Sequence, residues 1–307
     1  MPIPAVHSPQ ARRRRSPILL KARPSSLSSL LFCLLFTSGC ALFSIRNIDA
    51  RVAVPAPPPT GFSHELLDRT LRAHVVDGRV DYEALSSNDD DLRAYVALMG
   101  PFGPRSTPNR FPTREHRLAY YINAYNALTL LGIVHHWPVE SVHQVKGWIT
   151  PSAGFGFFYG LRFKLDGERI NLYNLENEIL REQFDDARIH AVINCASVSC
   201  PKLADRAFKA EDLEARLEEA TRLFTSSPPH VQMHPEEERV ELSPIYDWFR
   251  GDFEAHASNL GLGSATLDFI AHYADDPIAS QARLASTEDW AIHFSDYDWG
   301  LNGRLTP

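Results

Sequence analysis

The chain has 307 residues, a formal net charge of −7, 44% hydrophobic and 22% charged residues, and four cysteines. That apolar fraction can fill a core, which excludes a disordered chain, and so few cysteines exclude a disulfide-dense scaffold. Arg12, Arg13, Arg14, Arg15, Lys21 and Arg23 are the only charges before residue 40. Beyond them 25 of the 31 basic side chains face all 38 acidic ones, a net of −13, which argues against a nucleic-acid partner.

The basic stretch leads into the apolar run Leu27-Ser-Ser-Leu-Leu-Phe-Cys-Leu-Leu-Phe36, about ten residues where a spanning helix needs roughly 20. Residues 1–39 therefore read as an export signal. Thr37-Ser38-Gly39-Cys40 resembles the lipobox of bacterial lipoproteins, although Thr37 stands where leucine is usual. On that reading Cys40 carries the lipid that attaches the protein to a membrane, on the periplasmic side of the cell envelope. A plain secretory signal with an incidental cysteine is the alternative, and Pro17 speaks against a twin-arginine signal. Residues 40–60 contain Val54-Pro-Ala-Pro-Pro-Pro-Thr60, which favours extended polyproline conformation and reads as a tether.

From residue 61 onward helical and strand signals alternate with no repeat of fixed period, giving a single mixed α+β domain over 61–307. Leu66, Leu67, Leu71 and Val75 predict a helix stopped by Asp77-Gly78, and Leu92, Tyr95, Val96 and Met99 a second ended by Gly100-Pro101. The strongest helix runs from Thr113 to His136, with Leu118, Tyr121, Ile122, Tyr125 and Leu128 on its buried face. Leu161, Phe163 and Leu165 alternate up to Asp166-Gly167, and Ile170 and Leu172 resume the alternation, so a hairpin is expected there. Asn174 reads as the cap of the next helix, with Glu176 and Glu178 in its first turn. Arg188 to Asn194 alternates as a strand, with Ile189, Ala191 and Ile193 on one face and His190 and Asn194 on the other. A helix over Leu213–Phe224, a strand at Val240–Leu242, a helix opened by Ser243-Pro244, a helix at Leu267–Tyr273 and an alternating segment at Trp290, Ile292 and Phe294 complete the chain.

Behind the signal and its lipobox only Cys195 and Cys200 remain, in Asn194-Cys-Ala-Ser-Val-Ser-Cys-Pro201. In an exported protein such a pair reads as a disulfide, provided the loop turns back far enough to bring the two Cα atoms within about 4.4–6.8 Å. A reactive Cys195 thiol is the alternative, and it needs a base within hydrogen-bond reach. His190 is nearest in sequence, but on a straight strand it would point away from Cys195; His136 and His293 are further candidates. A zinc site is disfavoured because no second cysteine pair exists. Asn123 and Asn126 lie in the apolar stretch of the long helix, where buried amides must find partners. No Walker loop, Gly-x-Ser-x-Gly elbow or His-Glu-x-x-His pair occurs, so neither a cofactor nor a metal is expected.

Val80-Asp-Tyr82, Tyr121-Ile-Asn-Ala-Tyr-Asn-Ala-Leu-Thr-Leu130, Ile189 to Pro201, Leu242-Ser to Trp248-Phe249, and Tyr297-Asp-Trp-Gly-Leu-Asn302 together resemble the domain of unknown function 547 family over about 80–302. The resemblance brings no established activity. It implies that Asn123, Asn126, Glu176, His190, Asn194, Cys195 and Cys200 are the recurrent polar positions, and that bacterial members are often exported or lipid-anchored. Two functions follow as expectations. One is a cysteine-dependent hydrolase or acyl transferase acting on amide or peptide bonds in the envelope, with Cys195 as nucleophile, His190 as base, Glu176 as orienter, and Asn126 or Asn194 placing an oxyanion or the base. The other is a non-enzymatic binding or scaffold domain with a structural Cys195–Cys200 disulfide, its protein or peptide partner unspecified.

Overall fold

The computed structural model describes residues 45–145, 154 and 156–304. The signal and Cys40 lie outside the described residues. Strand β1 (Arg46–Ile48) is followed by α1 (Glu65–His74), the short strands β2 (Val75–Val76) and β3 (Arg79–Val80), α2 (Tyr82–Ser87), α3 (Asp90–Met99) and α4 (Arg114–His136). Next come β4 (Leu161–Leu165), β5 (Glu168–Ile170), the single turn α5 (Leu172–Asn174), a π-helical stretch over Leu175–Arg181 and the single turn α6 (Glu182–Phe184). The chain continues through α7 (Leu213–Ser226), β6 (Val231–His234), β7 (Arg239–Leu242), α8 (Ile245–Trp248), α9 (Arg250–Asn259), α10 (Thr266–Tyr273), α11 (Ile278–Glu288) and β8 (Ala291–Phe294). The class is mixed α+β, with helix dominant at 51% and three small sheets. Among the described residues no helix is long and apolar enough to cross a membrane.

Helix α4 organises the larger core. Thr113 caps it through its hydroxyl, and every residue from Leu118 to Val134 is buried, not one face alone. A helix buried all round must be surrounded by other elements, and α2, α3, α5, α7, β4 and the π-helical stretch supply that cover. The second core lies under β6, β7 and β8 and helices α8 to α11, around Tyr246, Phe253, Phe269 and Trp290.

Both Asp-Gly pairs turn hairpins with the two residues at positive φ: Asp77 and Gly78 between β2 and β3, Asp166 and Gly167 between β4 and β5. That conformation suits this dipeptide. The second turn is also clasped from outside, because the Asp166 carboxylate accepts the backbone N–H groups of Arg105 and Ser106 at 2.8 and 2.7 Å.

Two sequence expectations change. Leu172 does not extend the hairpin; Asn171, not Asn174, caps the helix that follows, its side chain accepting from Asn174 N at 2.7 Å. Residues 187–191 form a 3-10 helix, not a strand, with the Asp186 carboxylate accepting the Arg188 N–H at its start. The described part of the Pro-rich segment lies against the domain: β1 pairs in parallel with β4, Ile48 is buried, and the Arg110 guanidinium donates to Pro58 O and Gly61 O at 2.8 Å each.

The buried amides form a continuous chain. Asn126 Nδ2 donates to Val192 O at 2.9 Å and its Oδ1 accepts from Asn194 N at 2.9 Å. Asn194 Nδ2 donates to Pro201 O at 2.7 Å, and its Oδ1 accepts from Ala196 N at 2.8 Å and from Asn302 Nδ2 at 3.1 Å. Tyr82 donates to Asn302 Oδ1 at 2.8 Å. Asn123 makes a separate bracket, donating to Phe208 O at 2.8 Å and accepting from Phe208 N at 2.9 Å. Replacing Asn126 with alanine leaves Val192 O and Asn194 N without these partners. At about 1–3 kcal/mol per buried orphan, Asn126→Ala should lower the urea-unfolding free energy by about 2–4 kcal/mol, seen as a lower midpoint with an unchanged slope.

Candidate functional site

The loop 195–200 leaves the end of the Asn194 bracket. Ala196 is held at φ 65, a left-handed conformation uncommon outside glycine, with its N–H taken by Asn194 Oδ1. The turn brings Cys195 and Cys200 together as a disulfide with a Cα–Cα separation of 6.3 Å. The segment 297–302 lies along the same loop: Val198 N donates to Gly300 O at 2.8 Å, Ser199 N to Asp298 O at 3.2 Å and Asn302 N to Ala196 O at 3.0 Å.

Tyr297 places its hydroxyl over the bridge, 3.3 Å from each sulfur, and accepts from Ser197 Oγ at 2.9 Å. Ser197 Oγ is itself 3.0 Å from Cys195 Sγ, and Cys195 N donates to Cys200 Sγ at 3.0 Å. Both cysteines are half-exposed, whereas Asn194 and Ala196 beside them are buried.

Beside this loop Glu176 projects from the π-helical stretch and accepts from the Tyr125 hydroxyl of α4 at 3.1 Å. Burial raises its carboxyl from the ordinary 4.5 to about 7, with the negative Asp252 adding to the rise; Tyr125 and Arg181 pull the other way without winning. Burial also raises the Tyr297 phenol, and the field of Glu176 adds to it. A carboxyl that exchanges its proton near neutrality, inside a cluster of hydroxyls, is a marker of a functional site.

His190 is spent elsewhere. Its Nε2 is 2.7 Å from Asp252 Oδ2, and its ring stacks on Phe249 with centroids 4.1 Å apart. Burial pushes the imidazole below its usual range despite that carboxylate. Asp252 receives two further bonds from Arg181, at 2.6 and 2.8 Å. Burial alone would raise it, but the guanidinium and the imidazole hold it well below the usual carboxylate range.

The expected triad is therefore divided. Cys195 is joined to Cys200, His190 is oriented by Asp252, and Glu176 is bonded to Tyr125; no hydrogen bond among the described residues links His190 to Cys195 or to Glu176. Asn126 and Asn194 have their amide groups committed inside the bracket. Of the other histidines, His136 Nδ1 pairs with Gly132 O at 2.8 Å within its own helix, and His293 is exposed on β8. Sequence reasoning missed Ser197, Asp252, Arg181 and the role of Tyr297. Ser197, inside the cysteine block, and Tyr297, the first residue of the last motif block, left a signal; Asp252 and Arg181 left none. A pocket of about 160 Å³ bounded by Tyr246, Arg250, Trp290 and Phe294 belongs to the second core and holds none of these groups.

The raised Glu176 has a definite pH signature. The folded state holds this proton more tightly than the unfolded chain, so its contribution to stability is full below about pH 4.5 and is lost as pH rises through about 7. Glu176→Gln keeps a neutral amide in place. Chemical denaturation at pH 5 and pH 8 should show the wild type losing on the order of 1–3 kcal/mol relative to the variant between the two.

The motif blocks spread over about 80–302 thus converge on one loop and one carboxyl. No curated protein and no solved structure matches the chain. One family does match, over residues 109–225, a span that includes α4, Glu176, His190 and both cysteines but stops short of Asp252 and Tyr297. Over those residues the chain carries a domain of the family described as protein of unknown function, DUF547.

Proposed function

We propose that this is an exported, lipid-anchored envelope protein whose domain binds a peptide-bearing component of the envelope without cleaving it, at the site around Glu176. One observation carries the reading: Cys195 is bridged, while a half-buried carboxyl with a proton available near neutrality faces hydroxyls and aromatic rings. Tyr125 bonds Glu176, and Tyr159 and Tyr297 lie within its field. Half-buried rings extend the surface from Tyr297 to Trp248 and Trp299, with centroids 4.9 and 4.6 Å away. A carboxyl and phenols exchange hydrogen bonds with amides, and the rings supply apolar contact at small entropic cost.

The export and anchoring parts rest on the basic stretch, the short apolar run and Thr37-Ser-Gly-Cys40. A disulfide is also what an oxidising compartment outside the cytosol permits. The acidic domain would be repelled by anionic headgroups, so the lipid on Cys40 would do the anchoring.

Calorimetric titration of the full chain with a soluble peptidoglycan fragment carrying its peptide stem tests the binding part. Glu176→Ala should weaken binding at least about tenfold, or about 1.4 kcal/mol, and the fragment's mass should be unchanged after incubation. Cleavage of the fragment that disappears in Cys195→Ala would replace this reading with the thiol-dependent hydrolase. For the anchor, Cys40→Ser should move the protein from the membrane fraction to the soluble fraction, as followed by immunoblot.

A further inference from the structure

We propose that the Cys195–Cys200 bridge is a thiol–disulfide exchange site that oxidises a dithiol, and that Tyr297 and Ser197 stabilise the departing thiolate. This goes beyond the binding reading, because it makes the wall of the site a reacting group.

Three observations carry it. The first is position: both cysteines are half-buried residues at the edge of the domain, not part of its sealed core. The second is what surrounds the sulfurs. Cys195 Sγ has the Ser197 hydroxyl at 3.0 Å and the Tyr297 hydroxyl at 3.3 Å. Cys200 Sγ has the Cys195 N–H at 3.0 Å and the same Tyr297 hydroxyl at 3.3 Å. Cys200 leaving as thiolate finds two donors in place, the Cys195 N–H and the Tyr297 hydroxyl, while Cys195 finds the Tyr297 hydroxyl, to which Ser197 donates its own proton; exchange is faster when the leaving thiolate is better stabilised. The third is that the loop does not need the bridge to keep its shape. Asn194 holds Ala196 N and Pro201 O, Val198 N and Ser199 N are taken by segment 297–302, and Ser199 Oγ accepts from Asp298 N at 2.9 Å. A crosslink across so short a loop constrains the unfolded chain less than one closing a longer loop would.

A thiolate of the substrate dithiol attacks one sulfur, forming a mixed disulfide and expelling the other sulfur as thiolate onto its donors. The second substrate thiol, deprotonated, attacks the substrate sulfur of the mixed disulfide and releases the remaining cysteine. The substrate loses two electrons and two protons and becomes a disulfide; Cys195 and Cys200 take up both and become thiols. One bridge is consumed per dithiol oxidised.

The test uses the full chain purified in oxidised form, with dithiothreitol as the dithiol, quenching by alkylation and weighing by mass spectrometry. The bridge in the folded protein should react at least about tenfold faster at pH 7 than the same bridge in guanidinium-unfolded chain. Tyr297→Phe and Ser197→Ala should each slow the folded-state rate severalfold while leaving the unfolded-state rate unchanged, a contrast that a bridge of purely structural role would not give. A dithiol peptide should be oxidised in a 1:1 ratio. A folded-state rate no faster than the unfolded one, or a rate indifferent to both substitutions, overturns the proposal. Because the binding reading is tested by Glu176→Ala titration and not by bridge kinetics, either can fail while the other stands.

Discussion

The need of buried amides for partners is the constraint on which this structure turns. Helix α4 is buried along its whole middle, so Asn126 cannot turn to water. Its two amide groups are satisfied by Val192 O and Asn194 N, and Asn194 in turn by Ala196 N, Pro201 O and Asn302. Each link is worth only about 1 kcal/mol net, but leaving any of them unmade costs the full desolvation of a polar group. The chain of amides therefore behaves as a unit: it sets where the cysteine loop leaves the core and where the C-terminal segment must run. Tyr82 closes it from the other side through Asn302. That explains why motif blocks more than 200 residues apart meet at one loop.

The same burial separates the two carboxyls beside the loop. Asp252 is bonded by Arg181 and His190 and stays ionised, whereas Glu176 has the Tyr125 hydroxyl as its direct partner among the described residues and holds its proton to near neutrality. Arg181 is close enough to favour the Glu176 anion, but its guanidinium hydrogen bonds go to Asp252 and Asn177. Pairs of acids pushed apart in this way are how one fold keeps a proton donor and a fixed anion side by side. Here the fixed anion serves to orient His190 and leaves Glu176 as the group able to exchange a proton at the hydroxyl cluster.

The sequence was most legible where a local period or a two-residue signal decides the outcome. Leu66 to Val75, Leu92 to Met99 and Leu213 to Phe224 show their helices, and Asp166-Gly167 its hairpin, because each depends on neighbours a few positions away. The alternation of Ile189, Ala191 and Ile193 misled because burial on several sides also produces alternating apolar residues. What decided that segment was Asp186, whose carboxylate takes the Arg188 N–H and starts a tighter helical turn. Site composition was half legible. Glu176, Cys195 and Cys200 stand out as polar or reactive groups in short motifs, but Asp252 lies 62 residues from His190 and Tyr297 lies 102 from Cys195. Pairings at that distance follow from packing, which no local pattern encodes.

The amide chain and the bridge have different physical duties. Hydrogen bonds from Asn194 and from segment 297–302 already define the path of loop 195–200, including the left-handed Ala196. The disulfide adds a covalent tie to a path that is otherwise determined, and in doing so it removes both thiol nucleophiles of the loop. If the loop relied on the bridge, reduction would release its backbone and the Tyr297 contact together. Because those amides bond the loop backbone independently of either sulfur, the path of the loop and the covalent state of its sulfurs are set by different interactions, and the proposed exchange draws on the second alone.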